Sequence, residues 1–177
     1  MSKVKSMIAF MVPAPQKQMY LDLQKMIHEE YGGVPLTMAP HITMKIPFQR
    51  DPDELAEMFE GFRFPKFTIE HNQFYRLGDR IAYGGIIKSY QWCSLVSQVN
   101  KTLEAGGIKL KADDRDRVPH VTIAKSKGKG IYNLPAFIIS KKLNAMHHNF
   151  GKIKVNNFTI CKKTDKGWKK HANIILS

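Results

Sequence analysis

The chain has 177 residues, with 28 Lys and Arg against 15 Asp and Glu, a formal net charge of +13 and a pI of about 9.8. That length suits one domain over residues 1–177 with a core of its own, and the charge favours anionic partners: nucleotides, RNA, DNA or anionic lipid. Cys93 and Cys161 are too few for a disulfide framework and have no metal spacing, so reduced thiols in a cytoplasmic setting are expected, and no apolar run approaches the ~18 residues of a membrane span.

In chain order, residues 4–12 read as a buried strand; the six apolar positions from Met7 to Val12 are too few for a signal-peptide core. Pro13 and Pro15 stop it. From Gln16 to Tyr31, Met19, Leu23, Met26 and Ile27 recur at helical spacing, and Gly32-Gly33 ends the helix. His28 falls in its last turn, where a cation favours the helix dipole. A strand follows through Phe48, then the helix-start signal Asp51-Pro52-Asp53-Glu54, a short helix to about Gly61, and a strand from Phe64 to Glu70. Phe74 to Arg80 reads as a turn, and Ile81 to Ile87 as a strand loosened by Gly84-Gly85. The second half repeats the plan. Ser89 to Glu104 is helical, with Trp92, Leu95, Val96, Val99 and Leu103 on one face, and Gly106-Gly107 ends it. The charged loop Asp113–Arg117 leads to a short strand, Ser126–Gly130 is Gly/Lys-rich, and Pro135–His147 reads as a helix. Lys152–Lys162 alternates as one strand, and Trp168–Leu176 is a last strand. From Lys125 to Lys170 there are twelve Lys, no Arg and a single acid, Asp165, which suits general attraction of an anion rather than base-specific readout.

One tetrapeptide occurs twice: Pro40-His41-Ile42-Thr43 and Pro119-His120-Val121-Thr122. In a strand, residues i and i+2 share a face, so each His projects with its Thr while Ile42 or Val121 points into the core. Pro just before His suits a strand's first position, where a missing N–H matters least. A helix precedes each copy, and their separation is too long for solenoid repeats but suits an internal duplication. The expected architecture is therefore a single α+β domain of two pseudo-symmetric halves, with two small antiparallel sheets lining a central cleft and helices outside.

Two imidazoles facing one cleft can act as general base and general acid near neutral pH. The hydroxyls of Thr43 and Thr122 can donate to non-bridging phosphate oxygens and stabilise developing charge. Lys45 and Lys125 add positive charge, their direction left open by the spacing. Tyr75, Tyr83 and Phe48 are candidates for base contacts, with core packing the competing role for Tyr83 and Phe48.

The stretches Pro40–Phe48 (PHITMKIPF) and Pro119–Lys125 (PHVTIAK) resemble the paired motif of the 2H phosphoesterase superfamily, and within it the 2′-5′ RNA ligase and cyclic phosphodiesterase group, over roughly residues 4–176. The resemblance implies His41 and His120 as the acid–base pair and Thr43 and Thr122 as phosphate clamps; acid–base catalysis by two imidazoles calls for no cofactor, and no Cys, His or carboxylate cluster offers three ligands for a metal. Its members open 2′,3′-cyclic phosphates, cleave or join 2′-5′ linkages, or trim RNA ends; viral members destroy oligonucleotide signals of host immunity. Many carry Arg where Lys125 stands here. The expectation is thus a phosphodiesterase acting on a nucleotide or short oligonucleotide, as a monomer and with no membrane partner. The competing interpretation is an RNA-binding, end-processing or ligase module using the same cleft; the presence of both histidines and both threonines favours the enzyme.

Other signals are weaker. Adjacent His147-His148 diverge on a helix and lack a carboxylate, His71 and His171 are isolated, and Gly128-Lys129-Gly130 lacks the strand–helix flanks of a phosphate loop.

Overall fold

The apolar run near the start forms β1 (Lys5–Met11), buried at five consecutive positions. In the computed structural model, which describes residues 4–78, 80–110, 118–126, 135–146 and 149–177, it is followed by α1 (Gln16–Tyr31), β2 (His41–Gln49), α2 (Pro52–Met58), β3 (Phe67–Leu77), β4 (Ile81–Ile86), α3 (Tyr90–Ala105), β5 (His120–Lys125), α4 (Ala136–Ala145), β6 (Lys152–Val155), β7 (Asn157–Thr164) and β8 (Gly167–Ile175). The helices start and stop where local chemistry sets them. Asp51 accepts from the Asp53 N–H at the head of α2, and Ser89 Oγ accepts from the Trp92 N–H at the head of α3. Gly32 closes α1 at φ 72°, a conformation that glycine adopts without steric penalty. The expected loop Asp113–Arg117, the Gly/Lys-rich stretch beyond Ser126 and the His147-His148 pair lie outside the described residues.

All strand pairs are antiparallel, and the order is β6-β3-β4-β5-β2-β1-β7-β8. The α+β class and the two related halves therefore stand, but the two expected sheets are one curled eight-stranded sheet. They join where β5 meets β2, through Ile42 and Val121. In each half a strand, a helix and a His-bearing strand follow in turn: β1-α1-β2 and β4-α3-β5. Helices cover one face of the sheet. Tyr20, Leu23 and Ile27 of α1, Trp92, Leu95 and Leu103 of α3, and Ile139 and Leu143 of α4 share one core with Ile8, Phe10, Ile42 and Val121. The other face carries a small cluster of Met7, Ala9 and Cys161, bordered by Met11, Met38 and Trp168.

Two expected boundaries move. The segment from Phe74 is strand, not turn: β3 runs unbroken to Leu77 and pairs down to Leu77↔Ile81, so the turn begins only at Gly78. Tertiary pairing extends the strand past a composition that suggests a bend. The alternating stretch 152–162 is two strands. β6 pairs with β3 at one edge of the sheet, whereas β7 pairs with β1 and β8 in the other half. The apolar positions shift from odd (Ile153, Val155) to even (Phe158, Ile160) between the two, which marks the break. Among the described residues no helix is long and apolar enough to cross a membrane. Cys93 and Cys161 are both free thiols.

Candidate active site

The two tetrapeptides sit on the two central strands. Pro40 and Pro119 immediately precede β2 and β5, so each histidine is the first residue of its strand. Ile42 and Val121 are fully buried, and His41, Thr43, His120 and Thr122 are partly exposed on the opposite face. Extending the antiparallel register one residue either way from Ile42↔Val121 sets His41 opposite Thr122 and Thr43 opposite His120. The four side chains thus form one patch across the seam, each imidazole beside the other strand's hydroxyl.

The halves also agree bond for bond. His41 Nδ1 lies 2.9 Å from Ala39 O, and His120 Nδ1 lies 2.9 Å from Val118 O. A carbonyl only accepts, so in each ring Nδ1 carries the hydrogen, and in the neutral imidazole the lone pair is on Nε2. The intervening prolines are held alike: Val12 N–H donates to Pro40 O and Ile86 N–H donates to Pro119 O, both at 3.0 Å. The backbone that aims each ring is thereby tied to the neighbouring strand.

Small residues keep the patch open. Thr43 is opposite Ala9 on β1, and His120 is opposite Gly85 on β4. A Cβ at Gly85 would lie 2.7 Å from Tyr75 Cε2, so the Tyr75 ring lies across the glycine next to His120. Tyr83 completes this side. Its ring centroid is 4.9 Å from that of His120 and 5.8 Å from that of Tyr75. Burial, and then the neighbouring Tyr75, push the Tyr83 hydroxyl above its ordinary value, so it is a neutral donor at physiological pH. Tyr75 is 37% exposed, and its hydroxyl accepts from Asn72 Nδ2.

The lysines separate. Lys125 is exposed and lines a groove with His41 and Thr122. Lys45 does not share the face of His41 and Thr43. Thr43 pairs with Ala9 but Lys45 pairs with Ile8, so a bulge reverses its direction and leaves it 2% exposed, with its ammonium 5.6 Å from the Phe48 ring. Phe48 packs against the core. His171 pairs with Asp53, His71 lies among Tyr20, Phe74 and Phe150, and His28 is in the last turn of α1; none of the three is in the patch. Two contributors have no motif. Gln24 of α1 donates through Nε2 to Thr122 O at 2.8 Å, fastening the first half's helix to the second half's strand, and Trp168 of β8 lines the groove. A polar helix residue gives no sequence signal of such a contact, whereas a Trp between Lys residues on a terminal strand could have been singled out.

An antiparallel sheet carrying two symmetry-related His-Thr pairs on one face defines the class of fold and candidate site seen here. Residues 14–141 match the family model of the 2′-5′ RNA ligase superfamily, and the chain belongs to that family. Among solved structures it is similar to Escherichia coli LigT in its complex with 3′-AMP (17% identity, TM-score 0.70, 98% of each chain covered). It is also similar to TT0787 of Thermus thermophilus (15%, 0.66, 96% of each chain) and to Kluyveromyces marxianus Usb1 (13%, 0.54, 99% of each chain). No curated protein gives a significant match to the sequence.

Proposed function

We propose that this protein is a metal-independent phosphodiesterase for 2′-5′-linked, 2′,3′-cyclic or cyclic oligonucleotide phosphodiesters, with His41 and His120 as its acid–base pair. Membership of the superfamily supports phosphoesterase- or ligase-like activity. The observation that carries the finer proposal is the matched pair of Nδ1–H···O=C bonds, which orients two imidazoles alike beside two hydroxyls. The crystal structures of LigT with 3′-AMP, ATP and NADP+ support a nucleotide as the ligand.

In this scheme one neutral imidazole accepts through Nε2 the proton of the attacking hydroxyl, which is water or a neighbouring ribose hydroxyl. The other, as imidazolium, gives its Nε2 proton to the leaving oxygen. On a 2′-5′ linkage the adjacent 3′-hydroxyl attacks phosphorus, the P–O5′ bond breaks, and a 2′,3′-cyclic phosphate and a 5′-hydroxyl result. Thr43 and Thr122 donate to the non-bridging oxygens as charge builds. Lys125 attracts the anion, Tyr75 stacks a base, and both effects weaken apparent binding when removed, the first with salt as well. Ligation is the reverse of the same proton transfers, and removal of a nucleotide immune signal follows if 2′-5′ or cyclic oligonucleotides prove to be the preferred substrates.

The test is a panel of 2′,3′-cyclic nucleotides, 2′-5′ oligoadenylate and cyclic dinucleotides, incubated in excess EDTA and resolved by chromatography. Turnover of at least one is expected. Turnover that requires added zinc or magnesium would contradict the scheme.

A further inference from the structure

The groove beside His41 has a second wall that the tetrapeptides do not account for. Trp168 pairs across β7–β8 with Lys163, and its side chain packs against the cluster of Met7, Ala9 and Cys161, on the sheet face that carries His41. Facing it is the segment 34–40, and the groove between them, of about 280 Å³, reaches His41 and Thr122. Gly167, the first residue of β8, meets that segment: a Cβ there would lie 3.4 Å from Thr37 Oγ1, so β8 and segment 34–40 approach closely beside Trp168. The lining is largely apolar, with cations at its margins. Lys163 Nζ lies 5.6 Å from the Trp168 ring centroid, and Lys125 stands at the mouth. An apolar slot with an indole wall and rim ammonium groups suits a flat ring attached to a phosphate.

The position of this slot matters as much as its chemistry. Along the sheet order, Tyr75 on β3 lies beyond His120, and Trp168 on β8 lies beyond His41. Aromatic side chains therefore flank the histidine pair on both sides. A 2′,3′-cyclic mononucleotide has one base and can occupy only one of them.

We infer that the groove between Trp168 and residues 34–40 is a nucleoside subsite, and that the cleft is built for a phosphodiester joining two nucleosides. The inference rests on the phosphodiesterase proposal for the phosphate position, but the subsite itself is testable by binding. Trp168 is one of two tryptophans, and the other, Trp92, is 3% exposed against Phe10 in the core, so a ligand that changes indole emission reports on Trp168.

The experiment uses the full chain carrying His120→Ala, which leaves substrates intact. It is titrated with adenylyl-(2′→5′)-adenosine and separately with adenosine 2′,3′-cyclic phosphate, by fluorescence and calorimetry. The dinucleotide is expected to quench the indole. Adding Trp168→Leu should weaken dinucleotide binding at least about tenfold more than cyclic nucleotide binding, the range expected for a lost base stack. Adding Trp168→Phe, which keeps a ring and most of the packing, should restore most of that loss. No quenching, equal weakening of both ligands, or equal loss in the Leu and Phe variants would overturn the subsite. Failure of the unsubstituted protein to cleave any phosphodiester would instead remove the phosphodiesterase proposal, while the titrations still decide whether Trp168 holds a nucleoside.

Discussion

Ile42 and Val121 face each other across the seam between β2 and β5, and neither is accessible to solvent. Each is the third residue of its tetrapeptide, between the His and the Thr. By filling the core beneath the sheet they force their neighbours to the other face, so one apolar contact fixes four polar side chains. The duplication matters because a strand of this kind specifies direction only when its apolar residue has a partner, and here each copy supplies the other's.

Ile42→Ala should therefore destabilise the fold by about 2–5 kcal/mol, the range for emptying a fully buried large aliphatic site, and Ile42→Val by about 0.5–1.5 kcal/mol. Urea denaturation measures both. The activity of the folded fraction of Ile42→Ala should also fall, since the seam aims both histidines. A variant as active per folded molecule as the parent would show that the seam holds the fold and not the site.

His41→Ala and His120→Ala should each lower kcat/KM by at least ~100-fold, the low end for a missing general acid or base. The double variant should be little worse than either single one, because the two act on the same transfer. The rate should have an acidic and a basic limb, set by apparent pKa values belonging to the pair. Steady-state kinetics on whichever panel substrate turns over provide the check; a monotonic pH profile with normal activity in His41→Ala would refute the pairing.

Thr43→Val and Thr122→Val remove a hydroxyl at nearly constant shape. If the hydroxyls bind the phosphate more strongly as charge develops, each variant should lower kcat and kcat/KM together. A rise in KM with kcat unchanged would assign them to ground-state binding alone.

Much of this candidate site is legible in the sequence, because its parts are local. Period-two geometry places His41 with Thr43 and His120 with Thr122, and proline marks where each strand begins. What was not legible depends on pairing. The bulge that turns Lys45 to the covered face is a property of β1 against β2, not of β2, so spacing along β2 alone leaves its direction open. The contact of Gln24 with Thr122 O needs α1 to cross the seam, and the groove at Trp168 needs the curl of the whole sheet. The split of β6 from β7 shows in the sequence only as a shift of apolar parity, because both strands bury against one core.

Burial pushes the Cys161 thiol up to about 11 from 9.0, with Lys170 opposing that shift in part. The folded value exceeds the unfolded one, so above about pH 9 the unfolded chain loses a proton that the folded chain keeps. Stability from this group is complete below about pH 9 and is lost as the pH rises through about 11. Urea denaturation at about pH 8 and about pH 10.5 should show a loss that is smaller in Cys161→Ala. Tyr20, whose hydroxyl burial also raises, contributes with the same sign at higher pH. An equal loss in Cys161→Ala would remove the cysteine from the explanation.

Gly85 gives the most discriminating test of the aromatic side of the cleft. It is opposite His120, and its missing side chain is where the Tyr75 ring lies: an added Cβ would come within 2.7 Å of Cε2 and 2.9 Å of Cδ2. Its φ is outside the positive region, so alanine introduces crowding without backbone strain. The two nearest atoms belong to a side chain that is 37% exposed and can swing outward, while the Gln73 carbonyl at 3.3 Å has to give by only a few tenths of an ångström, so Gly85→Ala should displace the ring far more than the strand, at a stability loss of about 1 kcal/mol. If Tyr75 stacks a base, the displaced ring should raise KM roughly tenfold, with kcat changed far less. Tyr75→Ala should do the same, and the double variant should match either single one, because both remove one interaction. Additive effects would mean that the glycine acts through His120 and not through the ring. An unchanged KM in both single variants would show that no base rests on Tyr75.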